Sequence, residues 1–120
     1  MGGKIEKFED LEVWKEGMRL AEKVYKSLKD CRDFGLRDQM QRAAISIPSN
    51  IAEGYERESN KEFIRYLFIA NGSCGELRTQ IYLCIRIGVL DEREAKQLLE
   101  TTRKISAMLY NLIKTRRARF

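Results

Sequence analysis

Residues 36–57 run LRDQMQRAAISIPSNIAEGYER. Leu36, Met40, Ala43, Ile47 and Ile51 recur three or four residues apart, which puts them on one face of a helix. Ala43, Ala44, Ser46, Ser49 and Ala52 crowd the same turns and leave room for a second backbone to come close. Pro48 is the only proline in the chain. It lacks an amide proton and crowds the carbonyl four residues earlier, so the helix is expected to bend there or be interrupted for a turn. Gly54 stands where a left-handed C-terminal cap would close the run. Arg42, Asn50 and Glu53 lie on or beside the packing face. A bent helix rich in small residues is thus the centre of the chain, and the rest reads as three straighter helices packed around it.

On its N-terminal side, Asp10 is a candidate N-cap for a first helix. Leu11, Trp14, Met18, Ala21, Tyr25 and Leu28 then repeat at alternating spacings of three and four, a heptad seam that Val13, Leu20 and Val24 widen. The opposite face, with Glu12, Lys15, Glu16, Arg19, Glu22, Lys23 and Lys26, reads as solvated. Residues 30–35 read as a loop.

On its C-terminal side, Ser59 and Glu62 form a capping box for a third helix. Phe63, Leu67, Ala70, Cys74, Leu77, Ile81 and Cys84 make its seam, and Gly88 its cap. Ile64, Phe68, Tyr82 and Ile85 make a second apolar stripe, which faces either the fourth helix or another subunit. Gly72 and Gly75 sit inside this helix, where each costs roughly 1 kcal/mol against alanine. A short connection makes the second and third helices antiparallel. The expected compensation is therefore a close approach of Gly72 and Gly75 to residues 40–44, with a local kink as the weaker alternative. Asp91 and Glu94 form another capping box ahead of a fourth helix with Ala95, Leu98, Thr102, Ile105, Leu109 and Leu112 as its seam. These patterns predict one all-α domain over residues 1–120. The predicted architecture is an antiparallel up-down-up-down four-helix bundle with helices near 11–30, 35–54, 60–87 and 92–115.

Composition excludes several function classes. No apolar run reaches the roughly 18 residues of a membrane span. The N-terminal residues have no apolar signal core, so a cytoplasmic protein is expected. The three cysteines show no CxxC spacing, and Cys74 and Cys84 fall on a core stripe, so buried free thiols are expected. The chain has no histidine, which removes the commonest general base and metal ligand and rules out a Glu-x-x-His di-iron bundle. No phosphate loop or nucleophile elbow is present. No enzyme activity, cofactor or metal is expected. Arg42, Glu53 and Glu76 sit on helices built to bury small and apolar surface, and read as a partly buried Arg–Glu pairing that fixes register. Asn50 is expected to bond a backbone group freed by Pro48.

The net charge is +5, and Lys114, Arg116, Arg117 and Arg119 put four cations in the last seven residues. On a helical wheel Arg93, Lys96, Arg103, Lys104 and Lys114 fall within an arc of about 100° opposite the fourth helix's seam, with Glu100 in its midst. The arc and the tail, residues 114–120, are the candidate nucleic-acid contacts, the tail being expected to fray from residue 115. A helix C-terminus also favours cations through its dipole, which is the structural alternative.

Three phrases resemble a known family: Phe8-Glu9-Asp10-Leu11-Glu12-Val13-Trp14; Arg42 through Gly54, ending Asn50-Ile51-Ala52-Glu53-Gly54; and Ala70, Gly72-Ser73 and Glu76-Leu77 within residues 63–77. The chain resembles, over about residues 8–113, the four-helix-bundle proteins encoded in intervening sequences of bacterial 23S rRNA genes, once labelled S23 ribosomal proteins. That family is similar to the accessory protein of diversity-generating retroelements. The resemblance implies a ring-like homopentamer and RNA or DNA binding. The alternative it leaves open is an oligomeric protein-interaction scaffold, for example an accessory subunit beside a reverse transcriptase.

Overall fold

The computed structural model describes residues 4–120. A short 3-10 helix, Phe8–Asp10, leads into α1 (Glu12–Ser27), α2 (Phe34–Glu56), α3 (Asn60–Arg86) and α4 (Glu92–Arg119), with no strand among the described residues. Each helix packs on its neighbours in sequence, and α1 also packs on α4, so the four close a ring without diagonal contacts. Cross-helix pairs descend in register as antiparallel packing demands. Tyr66, Ser73 and Cys84 of α3 meet Glu53, Ser46 and Met40 of α2. Phe68, Arg78 and Tyr82 of α3 meet Arg117, Ser106 and Arg103 of α4. This is the expected up-down-up-down bundle.

Helix ends follow local chemistry. The Leu36 amide donates to the Asp33 carboxylate at 3.1 Å, starting α2 within what the sequence reads as loop. The Ser59 hydroxyl accepts from the Glu62 amide, and the Asp91 carboxylate from the Glu94 amide. Glu62 does not return the bond of a capping box; it pairs with Arg65 at 3.1 Å. Asp10 is not the N-cap of α1 either. Its carboxylate accepts the Glu6 and Lys7 amides, and Leu11 occupies the cap position. α3 ends in a Schellman motif: Gly88 has φ 76°, the Val89 amide reaches the Cys84 carbonyl and the Gly88 amide that of Ile85.

The core seam of α3 is the expected one, each of its seven residues being buried. That of α1 is rotated. Met18 and Tyr25 are 40% and 42% exposed, while Val13, Gly17, Leu20 and Val24 face inward. Gly17 lies against α2, where an added Cβ would make ordinary contact, 3.4 Å, with Ile47 and Pro48. The branched residues Val13 and Val24, with Leu20 and Gly17, thus form the face that α1 turns to the core. α2 meanwhile runs unbroken through Pro48, which is buried against Gly17.

Two expectations about glycine are overturned. Gly54 is not a left-handed cap, because α2 continues to Glu56 and the only positive-φ residue among those described is Gly88. Gly54 marks instead a close approach of α2 and α3: a Cβ there would lie 2.5 Å from the Cβ of Tyr66. Gly72 and Gly75 make no such approach, since a Cβ at either would meet nothing within 4 Å. Ser73 faces α2 in their place. Residues two positions from an inward seam residue are carried about 200° round the helix, so glycines following Ala70 and Ser73 by two point outward.

Candidate nucleic-acid interface

The candidate cations all lie on α4, which stays helical to Arg119 and does not fray at residue 115. Helical continuity places Lys114 and the tail cations on defined azimuths. Arg93, Lys96, Arg103, Lys104, Lys114, Arg117 and Arg119 are exposed. They are not equally available. Lys104 donates to the Glu16 carboxylate at 2.9 Å, joining α4 to α1. That bond, aided by the positive charge of Lys104, holds the Glu16 carboxyl below its usual range. Arg116 is taken up by the fold. Its Nε donates to the Asn60 side-chain carbonyl at 2.7 Å, and the Asn60 amide donates to the Arg116 backbone carbonyl at 3.0 Å. Its guanidinium also stands 5.0 Å from the Phe63 ring and 3.7 Å from that of Phe120. The expectation that the tail is free of packing therefore fails at Arg116: a helix long enough to pass the start of α3 brings one tail cation against it.

Arg103 and Arg117 lie along the outer α3–α4 seam, each against an aromatic residue of α3. The Arg103 guanidinium donates to the Tyr82 hydroxyl at 2.7 Å. The Arg117 guanidinium lies 5.2 Å from the Phe68 ring centroid. Beside Arg117, a surface notch of about 520 Å³ is bordered by Tyr110, Ile113, Lys114, Arg117 and Ala118. Phe68 and Tyr82 belong to the second apolar stripe expected to face either the fourth helix or another subunit, and both meet α4, whereas Tyr110 was not singled out from the sequence. A signal existed, because Tyr110 is seven residues from both Arg103 and Arg117.

The polar residues of α2 arrange differently from the predicted Arg–Glu pairing. Glu53 pairs with Arg57 at 2.8 Å and accepts from the Tyr66 hydroxyl at 3.0 Å. These two donors, Arg57 first, hold its carboxyl below the ordinary range. Arg57 and Arg65 lie 5.1 and 4.8 Å from the Tyr66 ring. Arg42 and Glu76 are exposed and form no ion pair; they border a shallow notch with Gln39, Ala43 and Ser46. The predicted pairing fails because Arg57, one turn beyond Glu53, captures that carboxylate, and because Arg42 points to solvent. Asn50 bonds the carbonyl and hydroxyl of Ser46 at 2.8 and 2.9 Å. The carbonyl that Pro48 leaves without its usual donor is that of Ala44, so Asn50 braces the preceding turn and does not replace the lost bond.

Two further surfaces are apolar. Phe8, Trp14, Met18, Tyr25, Ile45 and Pro48 help line a groove of about 590 Å³ between α1 and α2. Ile69, Leu83 and Ile87 are exposed on the outer side of α3. Among the described residues no group of His, Cys, Asp and Glu could hold a metal ion, and no helix is long and apolar enough to cross a membrane.

No curated protein matches the chain. A solved structure, of a protein of unknown function from the S23 ribosomal protein family of Bacteroides thetaiotaomicron VPI-5482, is similar to it with a TM-score of 0.80 and 25% identity. The match covers 85% of this chain and 98% of that one. The sequence profile described as 23S rRNA-intervening sequence protein matches residues 9–111, and with that span inside the bundle just described, the chain belongs to this family.

Proposed function

We propose that this protein is a non-enzymatic nucleic-acid-binding bundle protein that contacts phosphates through the outer face of α4 and acts as a homo-oligomer. The observation that carries the reading is the unbroken run of α4 to Arg119, which joins arc and tail into one basic surface. Arg93, Lys96, Arg103, Lys114, Arg117 and Arg119 are its working cations. Lys104 and Arg116 are set aside because Glu16 and Asn60 already engage them. Clustered cations bind phosphates by releasing counterions, so affinity should fall steeply with log salt, by about 0.9 per neutralised duplex phosphate. The test is the salt dependence of RNA and DNA retention by wild type and by Lys114→Ala/Arg117→Ala/Arg119→Ala. The variant should flatten the slope and stay folded. Full-length protein that retains neither nucleic acid at low salt refutes the reading.

The exposed Ile69, Leu83 and Ile87 favour a second contact, between copies of the chain. A homopentamer is the assembly that the resemblance implies. Sedimentation as a 14.1 kDa monomer at micromolar concentration would end this part. Should nucleic-acid retention fail and assembly persist, the protein-scaffold reading, with a partner such as a reverse transcriptase, takes its place.

A further inference from the structure

The outer α3–α4 seam has a repeat that phosphate binding alone does not use. On α4, Arg103, Tyr110 and Arg117 are spaced by seven residues; on α3, Phe68, Gly75 and Tyr82 are spaced by seven. The contacts of Arg117 with Phe68 and of Arg103 with Tyr82 lock the two series side by side. Tyr110 therefore sits level with Gly75. Three rings, Phe68, Tyr110 and Tyr82, follow one another along the seam at levels about 10 Å apart.

All three rings are exposed, Tyr110 most of all at 61%. Tyr110 therefore gives the protomer less burial than either of the other two rings. Gly75 adds no side chain beside Tyr110, and a Cβ there would meet nothing within 4 Å, so the ring's surroundings stay open. The notch at Tyr110 is bordered by Lys114 and Arg117, and no carboxylate borders it. A cationic, ring-lined seam complements a ligand that carries both negative charge and flat unpaired faces. Duplex nucleic acid offers only the charge, because its bases are stacked on one another. A single strand offers both.

We propose that the α3–α4 seam binds single-stranded nucleic acid, with Tyr110 as a platform on which a base stacks and Lys114 and Arg117 holding neighbouring phosphates. The proposal rests on the nucleic-acid reading above and narrows it to a class of ligand. Phe68 and Tyr82 flank the platform. The Phe68 ring is already engaged by Arg117, so a base stacks there less freely than on Tyr110, while Tyr82 is held only through its hydroxyl.

The experiment uses the full chain and labelled probes: a ~20-nucleotide oligothymidylate, an oligouridylate of equal length, and a duplex of equal length, at ~50 mM salt. Wild type should prefer the single strands. Tyr110→Ala should lower single-strand affinity roughly tenfold and leave duplex affinity within about twofold, and Tyr110→Trp should restore it. Unchanged melting of both variants keeps the result from being a folding effect. Equal loss on single strand and duplex, or no loss on either, overturns the platform while the phosphate reading stands. Failure of wild type to retain any probe removes both. If Tyr110→Ala leaves all binding intact and instead changes the sedimentation coefficient, a second copy of the chain occupies the seam and the proposal is wrong.

Discussion

α3 is flanked by two seams built on opposite plans. Toward α2 it is closed by short groups: Gly54 admits the Cβ of Tyr66, and the Ser46 and Ser73 hydroxyls meet at 2.8 Å. Toward α4 its outer edge is spanned by long cations reaching to aromatic residues, Arg117 over the Phe68 ring and Arg103 to the Tyr82 hydroxyl. The first plan excludes water and fixes how near two backbones come. The second leaves aromatic and charged surface in solvent. One helix thus supplies rigidity on one flank and an adaptable surface on the other.

Thiol chemistry tests both flanks at once and should give the largest effect. Cys84 donates to the Met40 sulfur at 3.4 Å on the α2 side. Cys74 is buried where Ser106 of α4 comes near. Burial pushes both thiols up from the usual 9.0 to about 11, Ser106 partly opposing the shift at Cys74. The neutral thiol is therefore favoured in the folded state. The associated stability is full below about 9 and is lost as pH rises toward 11. Half-buried Cys31 should react with a thiol reagent orders of magnitude faster than either, since the buried pair reacts only on opening. Comparable rates at all three would show that the seams are not closed.

Next in size is Gly54→Ala. The new Cβ would lie 2.5 Å from Tyr66, so α2 and α3 must part, at a net loss of about 1–3 kcal/mol in denaturant unfolding. A variant as stable as wild type would mean that the close approach does not exist. The smallest effect has the opposite sign. Gly72→Ala meets open space and should gain about 0.5–1 kcal/mol through helix propensity alone. A lower melting temperature would show that Gly72 is covered by something outside the protomer.

The seam of α3 was legible in the sequence because Leu67, Ala70, Cys74, Leu77 and Ile81 carry an unbroken apolar period, and burial follows it. The azimuth of α1 was not. Trp14, Met18 and Tyr25 have bulky apolar side chains, but the buried face carries Val13, Gly17, Leu20 and Val24, and Gly17, without a side chain, leaves no mark in a hydrophobic period. The glycine pair failed for a related reason. Its level along α2 was nearly right, because chain direction and loop length fix it, but its direction depends on which small residue, Ser73 or Gly72, turns inward. Arg116 illustrates a third limit. Its partner Asn60 is 56 residues away, and no local pattern announces such a pair. The cationic arc itself was legible, since charge needs no partner to be counted.

The meeting of α1 with α4 has a kinetic consequence. Every other contact among the four α-helices joins neighbours in sequence, so hairpins can form with little loop entropy. The Glu16–Lys104 bond joins residues 88 positions apart and so closes a long loop. That closure should be the last event in folding and the first in unfolding. Lys104→Glu, which sets two carboxylates together, should therefore steepen no arm of the chevron but raise the unfolding rate several-fold while leaving the refolding rate almost unchanged. A slowed refolding arm would instead place the α1–α4 closure inside the nucleus.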